Sequence, residues 1–436
     1  MMQTGVALKK NFPRLLELLD QMPDERKNPH YKTSELLMAA IAMFLFKRGS
    51  RNNMDNAANK GHFRDNYQRL FACSLPDMDT ADGLLKNLPE ENLEALKREM
   101  VGIMLRRKLF NKFRYGGMYH CVAIDGTGLY SYSYGPYRGC PHKTSKNGKV
   151  TYTVYVLEAK LICPNGFSIS IATEWIRNPE DGDYDKQDCE LKAFVRLAKK
   201  IKDFYPRLPI LVLADGLYPN KTAFDTCKAN NWPYIFTFKD GNLKTVWEEI
   251  GILDKLGGSA QAPWQGKVDN YFECHDYKYI NKIDYNGHGL NFIEAKIEKR
   301  KLTDIKRESI ENERFVHITD IPINKENYKE ISMRGRMRWK IENEGFNSQK
   351  NSGYGLCHKF ARKSHKASCN YYQCLQIAHA INQLAYLTKY VKSTFLKDDK
   401  ETIMALTEFA TSLLLGNEFQ PLAIQNILSN NCQLRY

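Results

Sequence analysis

Two short apolar runs in this chain end alike, and they constrain the fold more than any other feature. Val122-Ala123-Ile124 leads into Asp125-Gly126-Thr127, and Leu211-Val212-Leu213-Ala214 leads into Asp215-Gly216. Such runs read as buried strands. Each is closed by a carboxylate on a rigid element, while the glycine lets the chain turn away and leaves room for a ligand. A lone Asp-Gly after a strand is usually a turn, and Asp240-Gly241 reads as nothing more. Two such strands side by side differ, because they set carboxylates a few ångströms apart, where like charge is costly unless a cation bridges them. Mg²⁺, hard and oxygen-seeking, suits that donor set.

The surrounding pattern predicts an α+β fold. Residues 11–114 carry helical spacing, including an unbroken apolar run of 11 residues over 36–46. After Gly116, runs at 121–124, 150–161 and 167–173 read as three neighbouring antiparallel strands. A helix over 189–201 opened by Asp188 as N-cap, a parallel strand over 210–214, a helix over 220–229 and a strand over 234–238 follow. The order is β-β-β-α-β-α-β. Between 240 and 330 the alternation gives way to an inserted β subdomain, with Asn286-Gly287-His288-Gly289 as the turn of a hairpin. Helices over 333–350, 368–390 and around 401–415 complete the chain. The resulting division is a helical segment 1–115 for DNA binding or assembly, a core in two parts (116–240 and 331–392), a β-rich insertion 241–330 and a helical tail 393–436.

Composition narrows the partners. With 43% hydrophobic and 26% charged residues the chain suits ordinary globular packing, so fibrous and wholly disordered readings fall away. The 11-residue apolar run is too short to cross a bilayer. The polar, basic start has no apolar stretch of a secretory signal, so a cytoplasmic protein is expected. Eleven irregularly spaced cysteines without a Cys-x-x-Cys pair read as reduced thiols. The net charge of +14 favours polyanionic partners, and half of it is concentrated: residues 334–366 hold nine Lys/Arg against two Glu. That segment is expected to touch phosphate, with Lys359, Arg362 and Lys363 among the contacts.

A third carboxylate comes from the same segment. At about 100° per residue, Arg338, Glu342 and Gln349 fall within roughly 40° of one another on a helix. Glu342 thereby joins Asp125 and Asp215 as a candidate ligand. Three carboxylates around two Mg²⁺ ions, with Mn²⁺ an expected substitute, suit in-line attack by water or a 3′-hydroxyl on a phosphodiester. On a straight helix Lys350 is rotated by about a further 100°. Gln349 is therefore expected to reach phosphate or orient Glu342, and Lys350 to reach the flanking backbone.

The strand order resembles an RNase H-like fold, and the motifs resemble those of a DDE transposase of the insertion-sequence kind, in the broad group that moves DNA through hairpin ends. That group's signature runs tyrosine, two residues, arginine, three residues, glutamate, six residues, lysine. Arg338 and Glu342 match it in type and spacing, whereas Gly335 stands at the tyrosine position and Gln349 at the lysine position. Residues 338–350 are close to an Arg-Trp-x-Ile-Glu-Asn-Glu-Gly-Phe-Asn-x-Gln-Lys run found in a subset of the group. Residues 186–194, 215–218 and 376–379 resemble that subset too. The resemblance covers about 120–387, and separations of 90 and 127 residues between the three acids suit it. It implies Mg²⁺-dependent end cleavage and strand transfer by a homo-oligomer on double-stranded DNA, with Asp125, Asp215 and Glu342 as metal ligands and Arg338 and Lys350 on phosphate. A structure-selective nuclease of the same fold and a catalytically silent DNA-binding descendant are the alternatives.

Other polar residues have plainer readings. Asp188 and Glu190 read as acids at a helix start and stay outside the site. Tyr130, Tyr132, Tyr134 and Tyr137 read as structural, and Trp247 and Trp264 as packing more than as platforms for a flipped base. Cys140/His142, Cys274/His275 and Cys357/His358 lack the spacing of a zinc finger or ribbon. His379 reads as a core histidine.

Overall fold

The computed structural model describes residues 2–182, 185–268, 270–301, 310–396, 403–429 and 434–436, and it is an α+β protein. Its helical core is built on two elements. The Thr33–Leu45 helix is apolar all round and buried from Thr33 to Leu45 save Glu35, as such a helix must be. It packs against the His365–Tyr386 helix, which is buried from Ala367 onward. Each fully buried Leu, Ile, Met or Phe there contributes about 1.5–3 kcal/mol. Asn382 Nδ2 fixes the pairing by donating to the Leu45 carbonyl at 3.2 Å, and Asn370 Nδ2 ties the same long helix to the end of the Met78–Asn87 helix through the carbonyls of Leu85 and Leu88 at 3.0 and 2.8 Å. The Met78–Asn87 and Glu90–Arg106 helices complete this layer.

One sheet holds ten strands: β1 (His120–Tyr132), β2 (His142–Thr144), β3 (Val150–Ile162), β4 (Ser168–Ile176), β5 (Ile210–Ala214), β6 (Tyr234–Thr237), β7 (Ala260–Val268), β8 (Tyr271–Tyr285), β9 (His288–Lys301) and β10 (Ile310–Thr319). The order is β2-β3-β1-β5-β6-β10-β9-β8-β7, with β4 also paired to β3. β1, β3 and β4 are antiparallel neighbours, while β1-β5 and β5-β6 are parallel. The Glu190–Phe204 helix precedes β5 and the Lys221–Asn230 helix links β5 to β6, which gives the alternation read from the sequence.

The insertion is not a separate β subdomain. β10 pairs with β6 through Ile318 opposite Phe236, so β7–β10 extend the same sheet. The physical reason is the exposed ladder that β6 would otherwise present as an edge. The hairpin forms where expected: Asn286 and Gly287 both have positive φ, 53° and 78°, the two-residue turn that matches strand twist.

Three helix readings need correction. The expected helix over 333–350 is an α-helix at Tyr328–Arg336, a 3-10 turn at Met337–Trp339, a π turn at Ile341–Asn347 and an α turn at Ser348–Asn351. The expected helix over 368–390 ends at Tyr386, and a second begins at Lys389 behind Thr388, whose hydroxyl caps it. Cys189, not Asp188, is the N-cap residue of the Glu190–Phe204 helix; Asp188 instead accepts the Arg177 N–H at 3.0 Å and pairs with Arg196 at 2.6 Å. The tail helix runs Ile403–Gly416, and 401–402 lie outside the described residues.

Candidate active site

β1 and β5 run parallel with Ala123 opposite Leu213, so two residues further on Asp125 stands level with Asp215. The two aspartates are nevertheless held differently. Asp215 follows the end of β5, and its Oδ1 accepts the Leu217 N–H at 2.8 Å in an Asx turn. Asp125 does not close its strand: β1 continues to Tyr132. Gly126 is therefore there for space and not for a turn, since a Cβ at that position would lie 1.8 Å from Glu190 Oε1. Glu190, excluded by the sequence reading as a helix-start acid, thus reaches the site. No local pattern could have shown this, because the contact joins a strand to a helix more than 60 residues away.

The third element brings Glu342. Arg338 is buried, and its Nη1 lies 2.8 Å from Glu342 Oε1 and 3.6 Å from Asp125 Oδ2, so one guanidinium ties the strand carboxylate to the helical one. Arg338 faces carboxylates, while its guanidinium also lies 4.9 Å from the ring of Trp339. On the other side, Lys239 Nζ is 3.6 Å from Asp215 Oδ2.

The electrostatics follow from that crowding. Burial pushes the Asp125 carboxyl up to about 7; Arg338 opposes the shift, and Glu342, Glu190 and Asp215 reinforce it. Burial and then Asp215 raise Glu190 as well, opposed by the Gly126 N–H. Tyr218 is fully buried, its hydroxyl has no hydrogen-bond partner, and Glu190, Asp125 and Asp215 are the leading charges acting on it. All four acids offer carboxylate oxygen, the donor set of a hard divalent cation. The cations facing them are the buried Arg338 and the mostly exposed Lys239. The chemistry of these acids, carboxylate donors with little buried positive charge beside them, is of the kind a hard divalent cation takes.

The π turn places Gln349 and Lys350 differently from a straight helix. A π turn takes about one residue more than an α turn, which moves the Glu342 face from position 349 to 350. Gln349 is fully buried and exchanges hydrogen bonds with Gln376 at 2.9 and 3.2 Å, so it is no DNA contact. Lys350 Nζ donates to Thr127 Oγ1 at 3.0 Å, two residues beyond Asp125 on the same strand face. The Gly345 Cα packs so close to β3 and β4 that a Cβ would meet Ser168 Oγ at 3.1 Å and Lys160 at 3.3 Å, and this packing accompanies the irregular turn.

The remaining basic candidates lie apart from the carboxylates. Lys359 Nζ donates to the Ser131 carbonyl at 2.7 Å and sits 4.1 Å from the Tyr132 ring centre. With Arg362 and Lys363 it lines a groove of about 640 Å³ that also holds Arg51, Lys86, Asp55, Asp79 and Asp82. Arg51 is engaged by Asp79 and Asp82, each at 3.0 Å.

Tyr132 is buried, Tyr137 stacks on His365 at 3.7 Å, and Tyr134 is exposed. Trp247 stacks on Phe238 and Trp264 meets His275 edge-on. His379 is buried, and burial pulls its pKa well down. Among the described residues, Glu90, His365 and Cys369 are the one group of three His, Cys, Asp or Glu side chains whose ligand atoms lie within 4.8 Å of one another, and Arg177 already holds Glu90 at 3.1 Å; no three of the Asp125, Asp215, Glu342 and Glu190 carboxylates are drawn that close together. The ten described cysteines are free, and no helix among the described residues is long and apolar enough to cross a membrane. No protein-family model matches the chain, and no curated protein matches it significantly.

Proposed function

We propose that this chain is a transposase of the DDE kind, cutting the ends of a DNA element and joining them to a target, as an oligomer bound to DNA. One observation carries the reading: Asp125 and Asp215 stand level on adjacent parallel strands, and Arg338 ties Asp125 to Glu342. When bound, Mg²⁺ or Mn²⁺ at these carboxylates supplies activation of a water or 3′-hydroxyl and neutralises charge on the leaving oxygen. The chain's own residues prepare for this. Arg338 orients Asp125 and Glu342, Lys350 presents an ammonium beside the β1 face, and Asp125 retains a proton near neutrality when no cation is present. The strand order β3-β1-β5-β6, with its parallel pairs and the glutamate on a later helix, supports the RNase H-like reading of the core. The Lys359, Arg362 and Lys363 cluster supports a phosphate-lined path for duplex DNA.

The test uses linear duplexes carrying the DNA that flanks the coding sequence, incubated with Mg²⁺. End cleavage and joined products are expected, lost in Asp125→Ala, Asp215→Ala and Glu342→Ala while DNA binding persists. Cleavage without joining would indicate a nuclease. Binding without cleavage in either metal would indicate a silent descendant.

A further inference from the structure

We infer that Glu190 is a fourth carboxylate of the divalent-metal centre, added on the Asp215 side, with the Tyr218 hydroxyl as its positioning donor. The inference rests on the metal-dependent reading above and deepens it.

Three observations carry it. The Glu190 carboxylate lies against the backbone of Gly126, where even a methyl group would collide with it at 1.8 Å. An acid in the first turn of a helix ordinarily serves the helix's own free N–H groups; this one reaches across to the strand that carries Asp125. Second, Arg338 satisfies Asp125 and Glu342, and Lys239 lies near Asp215, but among the described residues no Lys or Arg pairs with Glu190. Its charge neighbour is Asp215, another carboxylate. Third, Tyr218 is buried with its hydroxyl unpartnered, and Glu190 heads the charges acting on it. Its ring packs edge-on against Phe194 at 5.2 Å, one turn along the helix that begins at Glu190. A buried hydroxyl without a partner is costly. Donation to a metal-bound carboxylate would satisfy it and hold Glu190 toward Asp215.

The test counts Mn²⁺ bound to the full chain by electron paramagnetic resonance, without DNA. Wild-type protein is expected to bind two ions, and Glu190→Gln to bind one of them at least tenfold more weakly, with its circular dichroism unchanged. Gly126→Ala reaches the same end independently by pushing the Glu190 carboxylate aside. Tyr218→Phe should weaken the same ion by a smaller factor. Two ions at wild-type affinity in both Glu190→Gln and Gly126→Ala overturn the role of Glu190 and leave the Asp125, Asp215 and Glu342 reading standing. Wild-type protein that binds no Mn²⁺ overturns both.

Discussion

Lys350 donates to the Thr127 hydroxyl at 3.0 Å, joining the helical turn Ser348–Asn351 to the strand that carries Asp125. The contact exists because the π turn at Ile341–Asn347 shifts the helix face by one position. Lys350→Ala should therefore slow cleavage at saturating DNA. Gln349→Ala should leave the salt dependence of DNA binding unchanged yet cost about 2 kcal/mol in urea unfolding, because the buried Gln376 amide N–H loses its acceptor while Lys160 still donates to its oxygen. The opposite assignment of the two effects would mean that the helix runs straight through 341–347.

Asp125 makes stability depend on pH in the absence of metal. The unfolded carboxyl loses its proton near 3.9, whereas the folded one keeps it to about 7. Between those values the folded state binds the extra proton, so raising pH destabilises it, by up to about 1.4 kcal/mol per pH unit. Burial holds His120, His317 and His365 down at about 4, which acts in the opposite direction below about 6.5. The difference between wild type and Asp125→Asn isolates the aspartate. In EDTA, the melting temperature of the wild type should fall relative to that of the variant between pH 4 and 7, and Mg²⁺ should abolish the difference. Parallel curves would remove Asp125 from a crowded acidic site.

The basic groove should be read through salt. Replacing Arg362 and Lys363 with Gln should flatten the slope of log affinity against log salt by up to about 0.9 per lost phosphate contact. Lys359 should contribute less, since the Ser131 carbonyl already engages its ammonium. A slope unchanged in the double variant would place DNA elsewhere.

Gly335 stands where the resembling signature has tyrosine, and the structure supplies a reason. A Cβ there would lie 2.5 Å from the ring of His317, which is buried. Gly335→Ala should cost about 1–3 kcal/mol by overpacking, and adding His317→Ala should recover part of that loss in thermal unfolding. A neutral Gly335→Ala would show that the two segments are not in contact.

The sequence by itself determined the parts that depend on local pattern. The apolar runs before Asp125 and Asp215 are strands because continuous β-branched and aliphatic residues bury both faces. The Leu36–Leu45 stretch is a buried helix because it is apolar on every side. Asn286-Gly287 is a hairpin turn because its two residues accept positive φ. Tertiary structure decided what depends on packing between distant segments. The face of the Glu342 turn could not be read from a period of 3.6, because a π turn departs from that period where Gly345 packs close to Lys160 and Ser168. Glu190 could not be assigned to the site from its place at a helix start, because what brings it there is the absent side chain of Gly126 on another element. The insertion could not be placed from its own strands, since what joins it to the sheet is the open edge of β6, whose backbone groups needed partners that β10 provides.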